Sequence, residues 1–392
     1  GLPPRNTDLI VFFQGTAGFA YDASVIYHEY THAVIGIERL QGVVIDQYGI
    51  DSSPGGMNEG LADYFGGTVL DNPSIGKYGI GSVNGGEGRA LDIPYQCPND
   101  THWEVHVHGR VIGSTMWSVR EAVGQEIADR IIFDALELFN ANTTHQEASE
   151  LILVEAEEEG TEVAESVRAI LLEYGMLDCV RSTPWIDYSV ALSRDGVPYS
   201  VPGQQSVGIP SLRSAGVPAY KQFNISPSEE MSTAGVKLSW KVVAQPSGFG
   251  AAPEASPLTL AMKLGAPVEL LLGPARYIDD QAVTPILDED GQQHVFIPKT
   301  CFLTRDEQGE PTMVEDIMHT LFISKASGDQ FVTEMNIEWL TDLPNGLEPI
   351  DCLRSEPEEP VAGEMAGEMA GEMAGEMAGE MAGETAGEMA GE

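Results

Sequence analysis

The sequence predicts an α+β protein in which helical and sheet-forming parts follow one another along the chain rather than alternating. Three observations carry that expectation. Apolar residues recur with the 3.6-residue period of helices up to Asp178. After Pro184 they alternate in and out with the period of strands. The chain then ends in a repeat of Ala-Gly-Glu-Met that has no apolar face of either kind. With 392 residues and 42% hydrophobic content, there is enough material for two folded cores. The expected boundaries are 1–184 for a mainly helical domain, 185–354 for a β-sandwich and 355–392 for a low-complexity tail.

The helical part is organised around His28-Glu29-Tyr30-Thr31-His32, whose neighbours Val25, Ile26, Ala33, Val34 and Ile35 predict a buried helix of about three turns. Histidines four apart stand on one helical face and can converge on a single metal ion, with Glu29 directed to the same opening as a general base. Such a run arises by chance about once in a hundred chains of this kind, so a third ligand is required. A catalytic zinc takes three protein ligands and keeps a fourth position for water. One arrangement needs glycine at 35 and histidine at 38, and the chain has Ile35 and Glu38. The other takes a glutamate from a second helix. Gly55-Gly56-Met57-Asn58-Glu59-Gly60-Leu61-Ala62-Asp63 opens with turn residues and continues with helical apolar spacing, which makes Glu59 the expected third ligand. Asp63, one turn further on, is expected to accept the second N–H of a ligating histidine and so fix its tautomer.

His28-Glu29-x-x-His32 followed by Asn58-Glu59-x-x-x-Asp63 resembles the thermolysin-like gluzincin metallopeptidases, and Gly55-Gly56-Met57 is more similar to the fungalysin branch. A third block, Glu104-Val105-His106-Val107-His108-Gly109 with Thr115-Met116-Trp117 and Arg120, stands in the family's order. Within it Gly109 selects His106, rather than His108, as the match to the family's transition-state histidine. The resemblance covers about residues 8–178. It implies a zincin catalytic domain with one catalytic Zn2+ on His28, His32 and Glu59, acting on protein or peptide substrates. Glu29 would take the proton of a zinc-activated water, and His106 would stabilise the oxyanion. It also implies a β-rich subdomain before the zinc helix; only its last strand, Asp8-Leu9-Ile10-Val11-Phe12-Phe13, is expected here, so the amino-terminal β part reads as truncated.

Residues 71–103 read as a loop-rich rim, broken by Gly76, Gly79, Gly81, Gly85, Gly86 and Gly88. Arg89 within it matches the cationic group that the resemblance would aim at a substrate carbonyl, but reads first as a solvated arginine and stays outside the expected site. Further helices are expected from 111 to 178, closing with the solvated acidic run Glu155-Ala156-Glu157-Glu158-Glu159, whose spacing fits no EF-hand loop. In the second half, Val236, Leu238, Trp240 and Val242, then Leu258, Leu260, Met262 and Leu264, then Phe331, Thr333, Met335, Ile337 and Trp339 alternate as in an antiparallel sandwich. Asp288-Glu289-Asp290-Gly291 reads as a Ca2+ loop or an acidic turn equally well, so calcium has no clear motif behind it. Four cysteines allow three connectivities or reduced thiols; pairing Cys97 with Cys179 and Cys301 with Cys352 is the simplest, since it keeps each bond within one domain and fits an exported, oxidised protein.

A formal net charge of −41 argues against nucleic acid and against docking on anionic lipid. No run of about 18 apolar residues exists, so the chain contains no transmembrane segment. The tail is expected to be disordered, because a glycine in every fourth position costs each helical turn about 1 kcal/mol and its glutamates repel. It would serve as a spacer toward a missing carboxy-terminal surface anchor or be a tolerated repeat expansion. Two classes of function remain: a secreted zinc endopeptidase with an accessory sandwich, and a surface binding or adhesion protein with a vestigial peptidase domain. Glu29 favours the first, since zinc can be held without it.

Overall fold

A computed structural model describes residues 10, 18–79, 88–185, 199–207, 216–226, 234–244, 255–271, 276–277, 282–305, 311–313 and 317–342. The expected strand at 8–13 (Ile10 apart), residues 80–87 of the glycine-rich stretch, Cys352 and the repeat tail lie outside the described residues.

Helix α1 (Ala23–Ile35) carries both histidines of the metal motif. Asp22 caps it, accepting from the Ser24 N–H at 3.1 Å and from the Ser24 hydroxyl at 2.6 Å. Its burial differs from expectation. Val25 and Ile35 are buried, but Ile26, Ala33 and Val34 are exposed, and the buried face also carries Ser24, His28 and Thr31. The side of α1 that meets the rest of the protein carries Ser24, His28 and Thr31 and is polar for that reason. Its outward residues Tyr27, Tyr30 and Val34 line a shallow apolar groove with Val69 and Phe133.

A hairpin of β1 (Val44–Asp46) and β2 (Gly49–Asp51) leads directly into α2 (Ser53–Leu70). Gly55 and Gly56 lie inside the first turn of this helix, not in a turn ahead of it. A Cβ on Gly56 would lie 2.8 Å from the His108 ring, on Gly60 2.2 Å from the Gly109 carbonyl oxygen, and on Gly66 3.0 Å from the Ser24 carbonyl oxygen. These glycines let α2 sit against α1 on one side and the next long helix on the other, which outweighs their propensity cost of about 1 kcal/mol each.

Strands β3 (Ser74–Ile75) and β4 (Arg89–Ala90) pair antiparallel and bring the chain back beside α2. Four helices follow. Helix α3 (Val105–Val123) is capped by the Glu104 carboxylate, and α4 (Gln125–Glu137) follows Gly124. Helix α5 (His145–Glu159) opens with a capping box of Thr144 and Glu147, and α6 (Thr161–Glu173) starts after Gly160. Met57, Leu61, Ile112, Met116, Ile131 and Ile152 are among the residues of the core they share with α2. Cys97 and Cys179 are disulfide-bonded, with Cα atoms 5.4 Å apart. Cys301 is disulfide-bonded as well.

The second half is strand-rich: β5 (Ser182–Pro184), β6 (Tyr199–Val201), β7 (Val217–Pro218), β8 (Gln222–Ile225), β9 (Gly235–Ala244), β10 (Thr259–Leu264), β11 (Ala282–Val283), β12 (Ile286–Leu287), β13 (Gln292–Pro298), β14 (Met318–Ser324) and β15 (Gln330–Leu340). Among the described residues one sheet runs β11-β10-β14-β8-β5, with β7 also on β14, and the other runs β12-β13-β9-β15-β6. Trp185, Phe223, Trp240 and Phe322 stack edge to face in the core that the two sheets share. All pairings are antiparallel except β5 with β8, because the chain crosses to the other sheet as β6 before it returns. The segment Asp288-Glu289-Asp290-Gly291 is the hairpin turn between β12 and β13, with Gly291 at φ 83°.

Candidate metal centre

Helix α1 presents His28 and His32 one turn apart, and α2 presents Asn58, Glu59 and Asp63 opposite them. Each histidine is held from behind. His28 donates from Nδ1 to Asp63 Oδ1 at 2.7 Å, and His32 donates from Nδ1 to Asn58 Oδ1 at 2.6 Å. The orientation of Asn58 is itself set, because its amide group donates to the Leu40 carbonyl at 3.1 Å. With both Nδ1 atoms protonated, each Nε2 carries a lone pair. These two atoms lie 3.0 Å apart, and Glu59 Oε2 lies 3.2 Å from the first and 3.7 Å from the second.

Three acceptors that close repel one another, and with both Nε2 atoms unprotonated Glu59 Oε2 is buried without a hydrogen-bond donor. A cation resolves the conflict. A tetrahedral ion with bonds of about 2.0–2.1 Å would separate its ligand atoms by about 3.3 to 3.4 Å, and the three spacings here average 3.3 Å. His28, His32 and Glu59 therefore fit a metal ion. Without one, a proton takes its place. Against the burial that disfavours its charged form, the hydrogen bonds to Asp63 and Glu59 hold His28 up to about 9. Burial would raise Glu59, but its hydrogen bonds to His28 and His32 hold it well below the usual carboxylate range.

Asp63 has a second partner. Arg89 donates from Nε to Asp63 Oδ2 and from Nη2 to Asp63 Oδ1, both at 2.6 Å. Arg89 is thus not the solvated arginine expected from sequence: its side chain is 13% exposed and its fork is spent on a carboxylate that is 2% exposed. Burial alone would raise Asp63, and the Arg89 charge followed by the His28 hydrogen bond holds it down to about 2. It stays an acceptor for the His28 N–H at any physiological pH.

His106 stands in the first turn of α3, half exposed, with Nε2 3.4 Å from Glu59 Oε2. Glu104 accepts from its Nδ1 at 2.7 Å and also caps the helix, accepting from the Val107 N–H at 3.0 Å. That hydrogen bond raises the His106 pKa and so favours a proton on Nε2, the atom that faces the candidate metal ligands. His108 points elsewhere. Fully buried, it meets the Ser52 hydroxyl at 2.9 Å, donates to the His102 carbonyl at 2.6 Å and faces His145 Nε2 at 2.6 Å. Glu29 is partly buried on α1, and its side chain has no hydrogen bond or ion pair with another described residue.

No protein-family model matches the chain, and no curated protein sequence matches it. Among solved structures it aligns with the precursor of protealysin, a metalloproteinase from Serratia proteamaculans, at 20% identity and a TM-score of 0.34. That alignment covers 41% of this chain and 59% of the other, so the chain spans about three fifths of that relative. It also aligns with a family GH115 4-O-methyl-α-glucuronidase specific for decorated arabinogalactans, at 8% identity and a TM-score of 0.19, over 57% of this chain and 34% of that one. Likenesses this loose carry no argument, and the centre is read from its own geometry.

Three residues of that geometry were not assigned from sequence. Asn58 fixes His32, Glu104 holds His106, and Arg89 locks Asp63. Two had a local signal, Asn58 beside the ligand and Glu104 in the capping position two residues before His106. Arg89 had none, since its partner is 26 residues away.

Proposed function

We propose that the protein is a zinc-dependent endopeptidase, and that its place is among the thermolysin-like gluzincins, near the fungalysin branch. The observation that carries this reading is the convergence of two imidazole Nε2 lone pairs and a buried carboxylate oxygen within 3.7 Å, with both Nδ1 atoms tied back by acceptors. Zinc, when bound there, supplies a Lewis acid that polarises a peptide carbonyl and lowers the pKa of water to about 7. His28, His32 and Glu59 hold it. Glu29, on the same helix and free of partners among the described residues, takes the proton of the attacking water and returns it to the leaving amine. His106, oriented by Glu104 and with its pKa raised by that hydrogen bond, donates from Nε2 to the oxyanion. Protein and peptide chains are the substrates. The Cys97–Cys179 bond supports an oxidising, extracellular location.

Elemental analysis tests the metal: one zinc per chain is expected, and Glu59→Ala should lose it. Glu29→Gln should keep the zinc and stop the digestion of casein. A stoichiometric metal undiminished in Glu59→Ala, or casein cleavage at the parent rate by Glu29→Gln, would overturn the assignment.

A further inference from the structure

The helix that carries Glu59 is held at its start by the β half of the protein. Its capping position is unusual. Ser52 makes no side-chain cap; its hydroxyl is turned to the His102 carbonyl at 2.7 Å and to His108 Nδ1 at 2.9 Å. The next residue, Ser53, meets the hydroxyl of Tyr220 at 3.1 Å, a partner 167 residues away that lies between β7 and β8. The Tyr220 ring also packs edge-on to the His108 ring, with centroids 5.0 Å apart. One side chain of the sandwich thus touches the first turn of α2 and the first turn of α3 together. Glu59 is six residues along from Ser53, and His106 is two residues before His108.

Arg181 acts on the same place. It pairs with Asp46, donates to the Ile50 carbonyl at 2.5 Å, and lies over the rings of Tyr48 and Tyr220 at 5.7 and 5.6 Å. These contacts clamp the β1–β2 hairpin that feeds α2. Val217 packs against buried Ile50 in that hairpin, and Lys221 donates to the Asn99 carbonyl at 2.7 Å. The joint between the halves is therefore buried, polar and directional, and a small rotation there would be transmitted along a rigid helix to Glu59.

We propose that Tyr220 is a positioning residue of the metal centre, setting through Ser53 and His108 how the Glu59 helix and the His106 helix meet. The sandwich is then part of the centre and not a separable accessory. This rests on the reading of His28, His32 and Glu59 as metal ligands. Supporting groups behind metal ligands change affinity by about 10- to 100-fold when removed, and a group acting nearly two helical turns further back belongs at the lower end.

The test uses the full chain loaded with zinc, or with cobalt as a coloured substitute. Tyr220→Phe removes only the hydroxyl, and Ser53→Ala removes its partner from the other side. Each should speed zinc release to a chelator about tenfold and shift the cobalt absorption bands, and the double variant should do no more than either alone. Val295→Ala, a cavity in the sandwich core away from the joint, should lower the melting temperature while leaving both readouts unchanged. A metal-loaded parent whose Tyr220→Phe and Ser53→Ala variants keep the parent release rate and cobalt spectrum overturns the positioning role alone. A parent that takes up no metal overturns the metal-centre reading, and this inference falls with it.

Discussion

His106 and His108 are two residues apart and face different surroundings. His106 is half exposed and looks across to Glu59, whereas His108 has no exposed surface and is enclosed by Ser52, His102, His145 and Tyr220. His106→Ala should lower turnover by about a hundredfold to a thousandfold, with zinc content and KM little changed. His108→Ala should instead leave a cavity and orphaned polar groups, and lower the melting temperature. Steady-state kinetics and thermal melts on the same two variants separate these outcomes; a rate loss confined to His108→Ala would reverse the assignment. The convergence of His28, His32 and Glu59 was legible because each belongs to a local spacing, four residues in one helix and one turn in another. The Arg89 fork was not, since burial of an arginine depends on which carboxylate the fold places beside it.

Helix α2 shows how glycine misleads when read along the sequence. Gly55-Gly56 looks like a turn, and in solution it would be a poor helix start; only contact with His108 and the Gly42 backbone gives the missing side chains a purpose. Gly60→Ala tests this at the tightest point, where the new methyl group would sit 2.2 Å from both the Gly109 oxygen and the Ile112 side chain. A destabilisation of about 3 kcal/mol is expected, measured by urea unfolding, against a gain of about 1 kcal/mol at an uncrowded helix site. The pairing of α3 and α5 through His108 and His145 has its own signature. Burial holds His145 down to about 4 and His108 well below its ordinary value, so the unfolded chain binds more protons in the interval between. Their contribution is complete above about pH 6.5 and is lost as pH falls toward 4. Melting curves from pH 7 to pH 4 should show a decline that is shallower in His145→Phe; equal slopes would mean that these histidines do not govern acid sensitivity.

At the scale of the whole molecule, the change from helical to strand period marked where the architecture changes, and the alternating Val236, Leu238 and Trp240 do face the core between the sheets. What periodicity could not disclose is the joint, because Tyr220, Lys221 and Arg181 look like unremarkable surface residues until the partner half is in place. The disulfide lies at that joint as well: Cys97 is two residues from Asn99, and Cys179 two from Arg181. Its closed loop spans 82 residues and includes all of α3 to α6, and such closure is worth about 4 to 5 kcal/mol, so reduction with dithiothreitol should lower the melting temperature markedly. The loop also bears on survival among proteases. A single cut anywhere between the two cysteines opens the chain without releasing a fragment, since both new pieces remain tied by sulfur and by the packed helices. Nicked and intact molecules should therefore run together on a non-reducing gel and part only when the bond is reduced.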